Sequence, residues 1–210
     1  FAPALGEYRR IAAQFETAQR PALQGQKLPQ GSPGFHAWLQ QNGMTHKVPG
    51  YAAVAISLKA KGAIPGDASG AQMRAVAALA ERYSASEIRV SHRQNLVLPW
   101  VKLNDLEELY HALLEQDLAE ANIGLASDII ACPGLDYCAL ATARSIPVAQ
   151  ALSQRLRERE RLQGPLDLSL NISGCINACG HHHAANIGIL GLNRTETETY
   201  QISLGGRADE

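Results

Sequence analysis

Four cysteines stand in this chain of 210 residues, and they come as two tight pairs. Cys132 and Cys138 bracket PGLDY. Cys175 and Cys179 bracket INA, in a stretch, SGCINACG, that runs straight into His181, His182 and His183. The pattern is C-x5-C, a gap of 36 residues, then C-x3-C. It constrains the fold more than any other feature, because two loops distant in sequence must serve whatever the thiols hold. Three readings compete. Disulfides suit secreted chains, and nothing at the N-terminus resembles a secretory signal. Zinc knuckles favour C-x2-C or C-x4-C spacing, which neither pair has. An iron–sulfur cluster takes four thiolates, is larger than one ion, and needs small residues where the backbone approaches its sulfides. Gly134, Ala139, Gly174, Ala178 and Gly180 supply that smallness. Spacing alone leaves all three open and leans toward the cluster.

The formal net charge of −1 names no partner by electrostatics, and with 46% hydrophobic residues the chain has material for a sizeable core. No run of about 20 apolar residues exists to span a membrane. Reduced cysteines fit a cytoplasmic setting. The start at Phe1 and the ending GGRADE read as cuts from something longer.

Residues 1–50, broken by Pro21, Pro29, Pro33 and Pro49, read as a leading arm or linker. From Tyr51 the pattern becomes regular. YAAVAISLKAKGAI predicts a strand ending in a turn, and SGAQMRAVAALAERY a helix capped by Ser69. Ile88–Val90 and Leu96–Leu98 predict two strands around SHRQN, and NDLEELYHALLEQDL a helix capped by Asn104 or Asp105. This is an α+β unit over 51–123. In 124–210, PVAQALSQRLRERERLQG predicts a helix with Pro147 in its first turn and Gly164 past its end. Its charges alternate in sign, which marks a solvated face and not a nucleic-acid patch. LDLSLNIS alternates apolar and polar residues and delivers Cys175, while NIGILGL and TYQISLGG predict two more strands. The three adjacent histidines point in different directions, so they make a poor single-ion site. Lys59, Lys61 and Lys102 read as solvated strand-end lysines. An RNA-binding sheet is discounted, because the strands offer mainly Ile, Val and Leu.

CPGLDYC, SGCINACGHHHAANIGILG and YQISLGG together resemble the cluster-binding half of the sirohaem-dependent nitrite and sulfite reductases, and IRVSHRQNLVL resembles that family's ferredoxin-like half-repeat. The resemblance covers about residues 50–210. It implies an α+β fold: a ferredoxin-like half-repeat (51–123), then an α/β cluster- and sirohaem-binding domain (124–210) truncated at its C-terminus. It implies that Cys132, Cys138, Cys175 and Cys179 ligate a 4Fe-4S cluster, with Cys179 shared with the sirohaem iron. Arg93, Gln94 and Asn95 would reach the sirohaem or its carboxylates, and Asn177 would approach the macrocycle. The implied activity is six-electron reduction of sulfite to sulfide. Nitrite reduction to ammonia, or a non-catalytic iron–sulfur or zinc module for electron transfer or scaffolding, are the alternatives. The family uses two half-repeats, and its anion-gripping basic residues have no match here. The implied partners are therefore the missing N-terminal half of the enzyme, an electron-donor flavoprotein or ferredoxin, and a small anion substrate. Neither nucleic acid nor membrane is expected, and the fragment alone is expected to be inactive.

Overall fold

The computed structural model describes Leu23 and residues 30–193 and 197–206. The chain divides into two compact units, with the boundary between Ile123 and Gly124.

The first unit is an antiparallel four-stranded sheet with helices. Helix α1 (Pro33–Asn42) starts with Pro33 in its first turn and Ser32 as N-cap, the Ser32 hydroxyl accepting from Phe35 N. Strand β1 (Gly43–Thr45) follows at once and pairs with β2 (Tyr51–Ile56). Helix α2 (Gly70–Tyr83) opens with a capping box in which Ser69 and Gln72 each satisfy the other's backbone N–H. Strands β3 (Arg89–Val90) and β4 (Leu96–Lys102) form a hairpin, and a 3₁₀ turn leads into α3 (Leu106–Leu114). The sheet order is β1-β2-β4-β3. Asp105 makes no side-chain cap bond to α3, because the chain enters through the 3₁₀ turn and Leu106 N bonds Leu103 O instead.

Two differences from expectation have physical causes. Residues 33–45 are no arm: Phe35, Trp38 and Leu39 are buried in the same core as Val54, Ile56, Leu98 and Leu109, and β1 extends the sheet. The remaining residues of the expected arm up to 29, Leu23 excepted, lie outside the described residues. Pro33, one of the prolines that read as linker breaks, sets the start of α1. Removing the Phe35 ring should test this membership. Phe35→Ala is expected to destabilise the unit by about 3–5 kcal/mol, read as a lowered denaturation midpoint, whereas an arm residue would change nothing measurable. Strand β4 also runs through Pro99. Ala52 pairs with Val101 and Val54 with Leu98, so Pro99 and Trp100 face the single residue Ala53. The proline sits in a bulge where no ladder bond is asked of it.

The second unit is a mixed sheet in the order β5-β6-β7-β8: β5 (Ile130–Ala131), β6 (Leu170–Ser173), β7 (Ile187–Asn193) and β8 (Thr199–Leu204). The first two pairings are parallel and the last is antiparallel. Helix α4 (Ile146–Gln163) is the crossover between β5 and β6, and Gly164 at its C-cap has φ 88. Strand β6 begins at Leu170, later than the alternation suggested, and all four of its residues are buried. A central parallel strand is covered on both faces, so its alternating composition does not mark a wet side. Among the described residues no helix is long and apolar enough to cross a membrane.

Candidate metal centre

The cysteine loops leave the carboxyl ends of neighbouring parallel strands, the usual place for a ligand in such sheets. Cys132 follows β5, and its amide continues the ladder by donating to Ile172 O (3.1 Å). Cys175 lies two residues beyond β6. Gly174 N donates to Cys132 Sγ at 3.0 Å, and Ser145 Oγ lies 3.3 Å from the same sulfur.

Segment 142–145 stitches the loops together. The Gly174 carbonyl accepts from Thr142 N (2.8 Å), Ala143 N (2.9 Å) and Thr142 Oγ1 (2.9 Å). The Ala143 carbonyl accepts from Leu135 N at 3.1 Å. The C-x5-C loop folds as a 3₁₀ turn over Gly134–Asp136, closed by Cys138 N donating to Gly134 O at 2.8 Å. Two glycines make the approach possible. A Cβ on Gly174 would lie 2.9 Å from Gly134 Cα, and one on Gly134, whose φ is +57, would lie 2.4 Å from Ser145 Oγ.

The C-x3-C loop makes two successive turns. Ala178 N bonds Cys175 O and His181 N bonds Ala178 O, with positive φ at Ala178 and His181. It is tied down to β6, because Gly180 N donates to Ser173 Oγ (3.2 Å) and Asn171 Nδ2 to His181 O (3.1 Å). Non-glycine residues held at positive φ store strain, and such strain concentrates at functional sites.

All four cysteines are free thiols: Cys132 and Cys175 are buried, Cys138 half-buried and Cys179 exposed. Asn177 is exposed beside Cys179. Among the described residues, no three Cys, His, Asp or Glu side chains gather at the spacing of a single metal ion. A cubane takes thiolates from a wider shell, and the paired loops, the Gly174 amide on Cys132 Sγ and the small residues suit it. The histidines do not converge either. His181 and His183 are exposed, and His182 is half-buried with Nδ1 lacking a partner and its pKa pushed down by burial and by His183.

Arg93, Gln94 and Asn95 lie in the other unit, on the turn joining β3 to β4. Gln94 has φ 56, and Ser91 N donates to Asn95 O. The Asn95 side chain turns inward, its oxygen accepting from Leu58 N (3.1 Å) and Lys59 Nζ (2.9 Å). Lys59 Nζ also donates to Arg93 O. Lys59 is thus only 3% exposed and organises this turn, where the sequence suggested a solvated lysine. No local signal marks it, because its partners lie more than 30 residues away. Arg93 and Gln94 are half-buried.

Residues 46–116 match the nitrite/sulfite reductase ferredoxin-like half domain, and residues 126–210 match the nitrite and sulphite reductase 4Fe-4S domain. The chain belongs to the nitrite/sulfite reductase family. Its second unit is the family's 4Fe-4S domain, whose cofactors are the cluster and sirohaem. Relatives include the chloroplastic ferredoxin–nitrite reductase of Zea mays, 31% identical over 65% of this chain and 25% of that protein. A second is Sulfite reductase (ferredoxin) 2 of Mycolicibacterium paratuberculosis, 30% identical over 68% of this chain and 27% of its own length. The chain thus spans about a quarter of the length of these curated relatives. Among solved structures, the Mycobacterium tuberculosis NirA protein superposes with TM-score 0.65 at 26% identity, covering 79% of this chain and 31% of that one. Dissimilatory sulfite reductase I shares the fold, with TM-score 0.51 at 13% identity over 89% of this chain and 50% of its own.

Proposed function

We propose that this chain is the cluster-bearing part of a sulfite reductase, which reduces sulfite to sulfide with six electrons and six protons and releases three waters. The observation that carries the reading is the Gly174 amide on Cys132 Sγ, which joins the two cysteine loops inside the family's 4Fe-4S domain. Cys132, Cys138, Cys175 and Cys179 hold the cluster. Cys179 and Asn177, both exposed, would face a bound sirohaem, and Arg93 and Gln94 would bind its carboxylates, for which a guanidinium is the strongest bidentate donor. Asn95 anchors the turn that presents them. The cluster and sirohaem supply single-electron transfer and the iron that binds the anion. Charge-assisted bonds to the anion come from basic residues outside this chain, in the remaining part of the reductase, and electrons come from a ferredoxin or flavoprotein. A cytoplasmic setting goes with this reading, because a reducing compartment keeps thiols available as ligands.

Nitrite is the second substrate reading, favoured by the match to the maize nitrite reductase. An anaerobic assay separates the two. The longest form of the protein, loaded with both cofactors and a chemical electron donor, is expected to turn over sulfite with a higher kcat/KM than nitrite. The reverse order would move the assignment to nitrite, and turnover of neither would end it. The 210-residue chain alone is expected to be inactive in the same assay. With several charge-assisted bonds to the sirohaem absent, at about 1.5–3 kcal/mol each, its affinity falls by powers of ten.

A further inference from the structure

Segment 142–145 touches both cysteine loops and carries no cysteine; Ala143 and Ser145 are buried, Thr142 is half-buried and Arg144 is exposed. Its anchor is Arg144, held at three points by the run leading into β8. Arg144 N donates to Glu198 Oε2 (2.9 Å), and the guanidinium Nη1 donates to Glu198 Oε1 (3.0 Å). The Tyr200 hydroxyl shares its proton between Arg144 O (2.8 Å) and Glu198 Oε2 (2.5 Å). The guanidinium Nε also lies 3.4 Å from Oδ1 of Asp136, in the loop between Cys132 and Cys138. Isolated surface ion pairs contribute little. Here one residue's amide, carbonyl and side chain are all engaged, which fixes its position and not merely its charge.

The neighbours of Arg144 carry that position to the thiols. Thr142 and Ala143 hold the Gly174 carbonyl beside Cys175, Ala143 O holds the turn that leads to Cys138, and Ser145 lies against Cys132 Sγ. The latch is also electrostatically consistent. The Tyr200 hydroxyl and the Arg144 amide hold the Glu198 carboxyl below its ordinary value of 4.5, and burial together with Glu198 pushes the Tyr200 phenol up. The folded pKa of Glu198 is depressed, so its contribution is present above the ordinary carboxylate range and is lost as pH falls through the lower, folded value.

We infer that Glu198 and Tyr200 are positioning residues for the cluster, acting through Arg144 to hold Cys132, Cys138 and Cys175 in ligating geometry. This rests on the reading of these cysteines as ligands. It assigns the start of β8 a role in the site although that strand contributes no ligand. Groups bonded directly to a metal's ligands typically change its retention by about 10–100-fold, and residues acting one step further out are expected at the low end of that range.

The test uses the chain reconstituted anaerobically with iron and sulfide, and it follows the loss of cluster absorbance under a chelator. Glu198→Gln and Tyr200→Phe are each expected to speed that loss about tenfold. They should also broaden the electron paramagnetic resonance spectrum of the reduced cluster, while the unfolding midpoint of the metal-free protein stays near that of the parent. Glu108→Gln, which breaks the exposed Arg82–Glu108 pair elsewhere, is expected to leave the rate unchanged. If Glu198→Gln does not fold, Tyr200→Phe, which removes a single oxygen, carries the same test. Loss rates and spectra matching the parent in a variant that folds would overturn the inference. Cys138→Ser decides the underlying reading separately: a variant that keeps its full cluster would remove Cys138 from the ligand set, whereas loss of the cluster there with parental behaviour in the latch variants would sink the latch alone.

Discussion

Cys175→Ser is expected to leave a folded chain without its cluster. The substitution replaces one buried sulfur by oxygen, at a residue whose loop is pinned by the three donors to the Gly174 carbonyl and by Gly180 N on Ser173 Oγ. None of these bonds uses the Cys175 side chain, so the loop keeps its course. A hydroxyl is a poor substitute for a thiolate at iron, and a cubane deprived of one of four ligands becomes labile. Iron and acid-labile sulfide should fall to background after anaerobic reconstitution, while the circular dichroism spectrum stays that of the parent. A full iron complement in the serine variant would show that Cys175 is not a ligand. A lost fold would show instead that the buried thiol is part of the packing.

The second large effect is expected from one methyl group. A Cβ on Gly180 would stand 2.1 Å from Ile172 O and 2.8 Å from Ile172 C. Both are backbone atoms of β6 and cannot rotate away. Gly180→Ala must therefore lift the end of the C-x3-C loop off the strand, break the Gly180–Ser173 bond and displace Cys179. Overpacking of this kind costs about 1–3 kcal/mol, and more when the obstacle is backbone. The expected result is a lowered urea midpoint together with loss of the cluster. Gly164→Ala is the comparison. Gly164 has φ +88 and ψ 172 and nothing within 4 Å of an added Cβ, so its cost is conformational strain alone, about 1–3 kcal/mol, with the cluster retained. Equal cluster retention in the two variants would contradict the close packing of loop on strand.

Much of the secondary structure was legible because its causes are local. The Ser69–Gln72 capping box, the Pro147 start and Gly164 end of α4, and the runs that became β2, β7 and β8 each depend on residues within a turn or two of one another. The cysteines and glycines of the site were legible for a different reason. A cubane needs four thiolates and close backbone, and few other residue types can supply them.

What the sequence by itself determined, then, is chemistry and local shape: two cysteine loops, the elements that carry them, and a family whose motifs match them. Tertiary structure decided everything that depends on a partner far along the chain. Phe35 and Trp38 look like part of a proline-broken arm until the sheet they cover is assembled. Lys59 looks solvated until Arg93 and Asn95 close over it. Arg144, Glu198 and Tyr200 are ordinary surface residues in any window of sequence. They become a latch because the last strand of the sheet returns antiparallel to β7 and brings residues more than 50 positions apart within hydrogen-bonding distance. Periodicity reports which face of an element is apolar, but only chain topology selects which distant group meets a given side chain, and burial then sets how strongly that meeting counts.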